Sequence, residues 1–308
     1  MGFEITFSNV LLTLIYIIPG FIICKVKRAS AEHLPTLSAV LVYILSPCMI
    51  ISSFISLDYS AESLLDMGLF FIAVLILQIV FMLVLFLIFK RKYEDSKYRI
   101  LTIGSVLGNV GFFGLPIIKG LFPSNPEVAC YSSVYVVAMN LIVFTVGVFC
   151  LTNDRKFISL KSTLLNPSTI SLIVALPLFI FGAKNWLPTL AIDGSSRLGR
   201  MTTPLCMIIL GIRLATVSFK KLFSRPMVYI ICLCKLIIFP LFCYLCVYFI
   251  PLAQTFKASV LILSGTPCAA VILSLAEMHR SEMELSANCI LLSTLLCIAT
   301  VPLLTLLI

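Results

Sequence analysis

The chain has little charge and almost no histidine. Of its 308 residues, 11% are Asp, Glu, Lys or Arg, and only 13 are acidic. Soluble domains carry about 25% charged residues, so a water-facing surface over this length is excluded. The two histidines, His33 and His279, lie outside the apolar runs. There is no H-E-x-x-H, no His/Cys cluster and no pair of carboxylates within an apolar run. An intramembrane hydrolase or a resident metal site lacks its parts, so neither an enzyme nor a bound metal or cofactor is expected. Nor does any carboxylate pair suggest a sodium–proton exchange site. Low-complexity tracts and polar linkers that would separate soluble domains are missing as well.

What is present is apolar. Hydrophobic residues make up 61% of the chain, more than a soluble core of this size can bury, and the reading is a multi-pass all-α membrane protein in contact with the lipid bilayer. The net charge of +9 points to no nucleic acid, because the basic residues sit in short loops between apolar runs, where membrane orientation accounts for them. The twelve cysteines fall mostly inside those runs, and Cys243 and Cys246, flanked by Phe, Tyr and Leu, read as small buried hydrophobes.

Hydropathy predicts ten spans, at about 5–24, 37–57, 67–89, 100–122, 128–151, 165–187, 200–217, 227–250, 253–275 and 287–308. Fifteen Lys and Arg fall in the odd-to-even loops, from Lys25 to Arg280. Five fall on the other side: Lys119, Lys184, Arg197, Arg200 and Lys257. The positive-inside rule then places both termini outside, in a plasma or inner membrane.

Prolines expose a repeat. Pro19, Pro47 and Pro116 pair with Pro177, Pro204 and Pro267, at separations of 158, 157 and 151 residues. The text around the second pair agrees: Pro47-Cys48-Met49-Ile50-Ile51 resembles Pro204-Leu205-Cys206-Met207-Ile208-Ile209. Two five-span halves follow, residues 1–157 and 158–308. A five-span unit ends opposite its start, so the second half is inverted, which is the architecture of alternating-access carriers.

The stretch 104–123, GSVLGNVGFFGLPIIKGLFP, is unlike an ordinary span. Pro116 opposes a continuous helix, and a broken helix persists only inside protein or against a water-filled cavity. By the repeat its partner is Ser264-Gly265-Thr266-Pro267. Matched broken segments are the best sequence pointer to a binding site, so Asn109, Gly111, Pro116, Thr266 and Pro267 are candidate substrate-binding residues. Asn140 joins them, although either asparagine amide equally suits a helix–helix hydrogen bond. Lys235 lies nine residues into its span, where a cation costs about 2.5–3.5 kcal/mol. It reads either as a charge that attracts an anion or replaces a coupling cation, or as a tether for carbonyls freed by proline. Arg213 is close enough to a span end to snorkel, Lys119 suits either the lining of an outer vestibule or snorkelling, and Glu277 suits a solvated helix end or a proton site.

Together these residues resemble the auxin efflux carrier family, which includes plant PIN-type carriers and bacterial malate and malonate permeases. The resemblance runs nearly the whole length. It rests on Leu37-Ser38 through Ser46-Pro47, on Gly108-Asn109-Val110-Gly111-Phe112-Phe113-Gly114-Leu115-Pro116, and on Asn140 after Ala138-Met139. Asn166-Pro167, Leu275-Ala276-Glu277 and Leu292-Ser293-Thr294-Leu295-Leu296 complete it. It implies ten helices with the broken fourth and ninth crossing, a scaffold of spans one, two, six and seven that also forms a homodimer, and a secondary carrier of small organic anions such as mono- or dicarboxylates or auxin-like acids. The loop after the fifth span is short here, which favours a bacterial-type organic anion permease. Uniport, proton coupling and sodium coupling all stay open. The alternative is a membrane receptor or scaffold that keeps the fold without transporting.

Overall fold

The computed structural model describes residues 2–152, 156, 159–217 and 225–308. Arg155, Lys220 and Lys221, counted among the loop cations, lie outside the described residues, as does the expected boundary between halves at 157/158. The described residues are helical, with no strand among them.

Among the described residues, seven helical stretches are long and apolar enough to cross a membrane: Gly2–Lys25, Ala31–Ile55, Ala61–Lys92, Glu127–Thr152, Thr189–Thr216, Pro226–Tyr248 and Met283–Leu307. The other three expected spans are shorter or divided. Ser96–Gly104 is followed by a gap and then Val110–Leu121, Pro167–Ile180 stands as one short helix, and Gln254–Ser264 is separated from Val271–Met278. Thr189–Thr216 begins earlier than the expected 200–217, so Arg197 and Arg200 lie within helix rather than at its edge.

The longest helix shows why these residues suit lipid. Along Ala61–Phe89, Phe70, Val74, Leu77 and Phe81 point inward, while Leu65, Leu69, Ile72, Ile76, Leu83 and Leu87 are exposed. Both faces are apolar, which only a membrane environment tolerates. On the inner side the Phe70 ring stacks on Tyr131, with centroids 4.6 Å apart, and meets the Phe256 ring edge-on at 5.0 Å.

Prolines widen helices here more than they break them. The wide, π-type turns Leu41–Leu45, Val110–Gly114 and Cys234–Ile238 each run directly into Ser46-Pro47, Leu115-Pro116 or Phe239-Pro240. A proline donates no N–H to the carbonyl four residues back, and its ring presses on that carbonyl, so the preceding turn opens. This corrects the reading of Pro116 as a helix breaker. It sits in the first turn of Leu115–Leu121, where proline is compatible with helix, and the real interruption lies upstream at residues 105–109. Pro267 does lie in its interruption, residues 265–270.

Small residues set the closest contact between helices. Ile17–Lys25 packs on Thr202–Thr216 with Gly20 against the Ile208 carbonyl and Gly211 against the Ile17 carbonyl. A Cβ at either glycine would overlap the facing backbone, which is how small residues let membrane helices approach.

Candidate functional site

The two interruptions meet. The Asn109 N–H donates to the Pro267 carbonyl at 2.7 Å, and the Ala269 N–H donates to the Leu107 carbonyl at 3.0 Å, either side of the facing pair Gly108 and Cys268. Helix ends leave unpaired backbone groups, and such groups are costly away from water. Here each broken segment supplies what the other lacks. Side chains complete the junction. Ser293 Oγ accepts the Cys268 N–H at 3.0 Å, Ser132 Oγ donates to the Val110 carbonyl at 3.2 Å, and Thr266 Oγ1 donates to the Leu263 carbonyl at 2.8 Å.

Lys235 is wholly buried. Its Nζ donates to the carbonyl of Ser264, the last residue of Gln254–Ser264, at 2.5 Å, and lies 5.0 Å from the centre of the Phe239 ring. A cation at a helix C-terminus meets the negative end of the helix dipole. Gly108 is fitted to this place: an added Cβ would overlap Thr266 Oγ1 and lie 2.9 Å from Lys235 Nζ.

On one side of the junction lies a cavity of about 310 Å³. Asn109, Gly111 and Asn140 line it, together with Asn166, Ser46, Ser168 and Arg213. Arg213 is the one charged side chain among the described residues of the lining, and Met49, Phe112, Val136 and Ile209 supply apolar wall. Asn140 Nδ2 donates to Asn166 Oδ1 at 3.2 Å, and the same oxygen accepts the Ser168 N–H at 3.0 Å, capping Pro167–Ile180. The cap residue thus holds the Asn140 amide in place.

A larger cavity of about 520 Å³ adjoins it, sharing Ser38, Leu210, Arg213 and Ser274 and adding Glu277 and Glu284. At this mouth Arg213 Nη1 is 3.1 Å from Glu277 Oε1.

The seven candidate residues therefore separate. Asn109, Gly111 and Asn140 face the cavity. Pro267, Thr266 and Lys235 are outside its lining and hold the junction from behind. Pro116 lines a different cavity, beside Lys119 and Arg200. Sequence reasoning left Arg213 as a snorkelling residue and Asn166 as part of a motif, and placed neither at the site. Arg213 carried a usable signal, since an ionisable residue inside an apolar span is a functional candidate by default, and Asn before Pro is a helix-start signal.

A model of the family described as membrane transport proteins matches the chain twice, over residues 5–159 and 152–305. The chain is also 26% identical over 291 residues to the uncharacterized transporter MJ1031 of Methanocaldococcus jannaschii, a match covering 92% of this chain and 93% of that protein. With residues 5–305 matched in two stretches by one family model, the chain belongs to the membrane transport protein family, the auxin efflux carrier group that its motifs resemble.

Proposed function

We propose that this transporter carries small organic anions by alternating access, through ten membrane segments arranged as two inverted halves, 1–157 and 158–308, whose broken fourth and ninth segments cross. The observation that carries the reading is the cavity beside the paired breaks, which offers three side-chain amides and one guanidinium and no carboxylate in its described lining. Its volume suits a small ligand. Arg213 matches a carboxylate in charge and fork geometry, the amides donate to the same group, and Met49, Phe112, Val136 and Ile209 enclose an apolar body. Val110–Gly114 starts at the cavity edge, and the start of a helical segment favours negative charge.

The repeat is supported by the geometry of the junction. Gly108 and Cys268, the facing pair, are 160 residues apart, close to the 157 and 158 of the Pro47/Pro204 and Pro19/Pro177 pairs. The match of Pro116 to Pro267, at 151, is out of step with these, in keeping with Pro116 lying beyond its break. With the basic loops in the cytoplasm, the cavity opens inward past Arg213 and Glu277. Lys235 is then the chain's own positive charge at the crossing, and it keeps the Ser264 carbonyl paired while the segments move.

The test is uptake of labelled mono- and dicarboxylates into proteoliposomes, with and without imposed proton or sodium gradients. Uptake of at least one carboxylate above protein-free vesicles, abolished by Asn109→Ala, supports the reading. No uptake of any carboxylate under any gradient overturns it.

A further inference from the structure

A third cavity, of about 430 Å³, lies at the other end of the same helices. The wide mouth uses Leu34 and Ser38 at the start of the Ala31–Ile55 stretch, and the third cavity uses Met49, Ser52 and Ser53 at its end. The Thr189–Thr216 stretch is used in the opposite sense, with Ser196 and Arg200 here and Arg213 at the mouth. From Leu34 to Ser53 the helical rise is about 30 Å, the thickness of a bilayer's hydrocarbon core. The two openings therefore lie on opposite faces.

Their electrostatics differ. At the mouth, Arg213 is neutralised by Glu277, and Glu284 stands nearby. In the third cavity the charged lining residues are Lys119 and Arg200, both positive, with no acidic residue in the described lining. Among the described residues neither forms an ion pair with a carboxylate. Two cations facing one concave space without a counter-charge hold a positive potential there. The wall between this space and the central cavity is thin, since Met49 lines both, and Pro116 in the third cavity is four residues from Phe112 in the central one.

We propose that the third cavity is a second anion site, a vestibule in which Lys119 and Arg200 hold a small carboxylate on the face opposite the Arg213 mouth. It rests on the organic-anion reading above and adds to it the port on the other side of the membrane. Met49 and the Gly111–Pro116 turn then separate the two sites, and movement of that partition joins them.

The experiment reads the vestibule without flux, so its failure is distinct from failure of transport. Cys24, Cys48 and Cys246 are the cysteines that are not buried; replacing them with Ser and introducing Ser196→Cys places one reactive thiol in the third cavity. The full chain is reconstituted in phosphatidylcholine vesicles, and the thiol's rates with anionic and cationic methanethiosulfonates are compared. The anionic reagent is favoured, and Lys119→Gln with Arg200→Gln lowers the anionic-to-cationic rate ratio by about tenfold, the scale on which local charge alters encounter. Benzoate or succinate slows labelling in the parent and not in the double variant. A rate ratio unchanged by the double variant overturns the proposal. So does slowing of labelling only when phosphatidylglycerol is added, which would assign the cations to lipid headgroups. The single variants Lys119→Gln and Arg200→Gln, each expected to give a partial drop, keep the test decisive should the double variant fail to fold.

Discussion

The backbone N–H of Asn109 donates to the carbonyl of Pro267 at 2.7 Å, and these residues belong to opposite halves of the chain. Neither broken segment is complete alone. Each interruption leaves backbone groups that water cannot reach, and the other interruption pairs them. Asn109 therefore has two roles at once: its backbone closes the junction while its side chain faces the cavity.

Gly108→Ala tests the tightness of this junction. The new Cβ would meet Thr266 Oγ1 and lie 2.9 Å from Lys235 Nζ, in a place with no free volume. Overpacking of this kind costs about 1–3 kcal/mol. A lowered melting temperature in detergent is expected, together with lost transport. At Gly111 an added Cβ stands farther from its neighbours, Val136 Cγ2 at 3.1 Å and Met49 Cε at 3.4 Å, so the melting temperature of Gly111→Ala should fall less.

Lys235→Met removes the donor to the Ser264 carbonyl and leaves that carbonyl buried without its partner. An unsatisfied buried group costs about 1–3 kcal/mol. The variant should melt lower than the parent and transport less. Parental melting and parental uptake together would remove Lys235 from the account.

The order of effects at the two prolines follows from where they sit. Pro267 lies within an interruption, and Pro116 lies in the first turn of a helix whose preceding turn is widened. Pro267→Ala should reduce uptake more than Pro116→Ala. Equal loss at both positions would return the break to Pro116.

Much of this site could be read from residues alone. Glycines and prolines in 104–123 marked a segment that cannot be one helix, and the proline spacing located its partner. Asn109 and Asn140 are legible because polar residues are rare and expensive in apolar runs, and Gly111 because it lies in the broken segment. The exact place of the break was not legible. Proline suggests interruption by its chemistry, yet a widened turn absorbs the same missing hydrogen bond, and only the pairing of Leu107 and Asn109 with Ala269 and Pro267 shows which residues leave the helix. Arg213 reads as a snorkelling residue from sequence because a long side chain near a span end has two destinations, water or an internal cavity, and the choice depends on Glu277, 64 residues away in sequence.

The Arg213–Glu277 pair predicts a gain of function. Its side chains are 21% and 48% exposed, and an ion pair this accessible contributes about 0–1 kcal/mol to stability. Glu277→Gln should therefore leave the melting temperature within about 3 °C of the parent, in keeping with that small contribution. The same change frees Arg213 for a substrate carboxylate, so the Kd for a transported anion should fall several-fold. A weaker Kd would show that Glu277 orients Arg213 instead of competing for it.

The central claim is that the cavity beside the paired breaks binds a carboxylate through Asn109 and Arg213. It is tested most directly by equilibrium binding of a radiolabelled carboxylate, chosen from the uptake panel, to the purified parent, Asn109→Ala and Arg213→Gln, beside their melting temperatures. Hydrogen bonds to a charged group contribute about 1.5–3 kcal/mol, which is about 10- to 150-fold in affinity. The account predicts a loss of that size in each variant with melting temperatures near the parental value. An unchanged Kd in both folded variants would contradict it and place the substrate elsewhere in the protein.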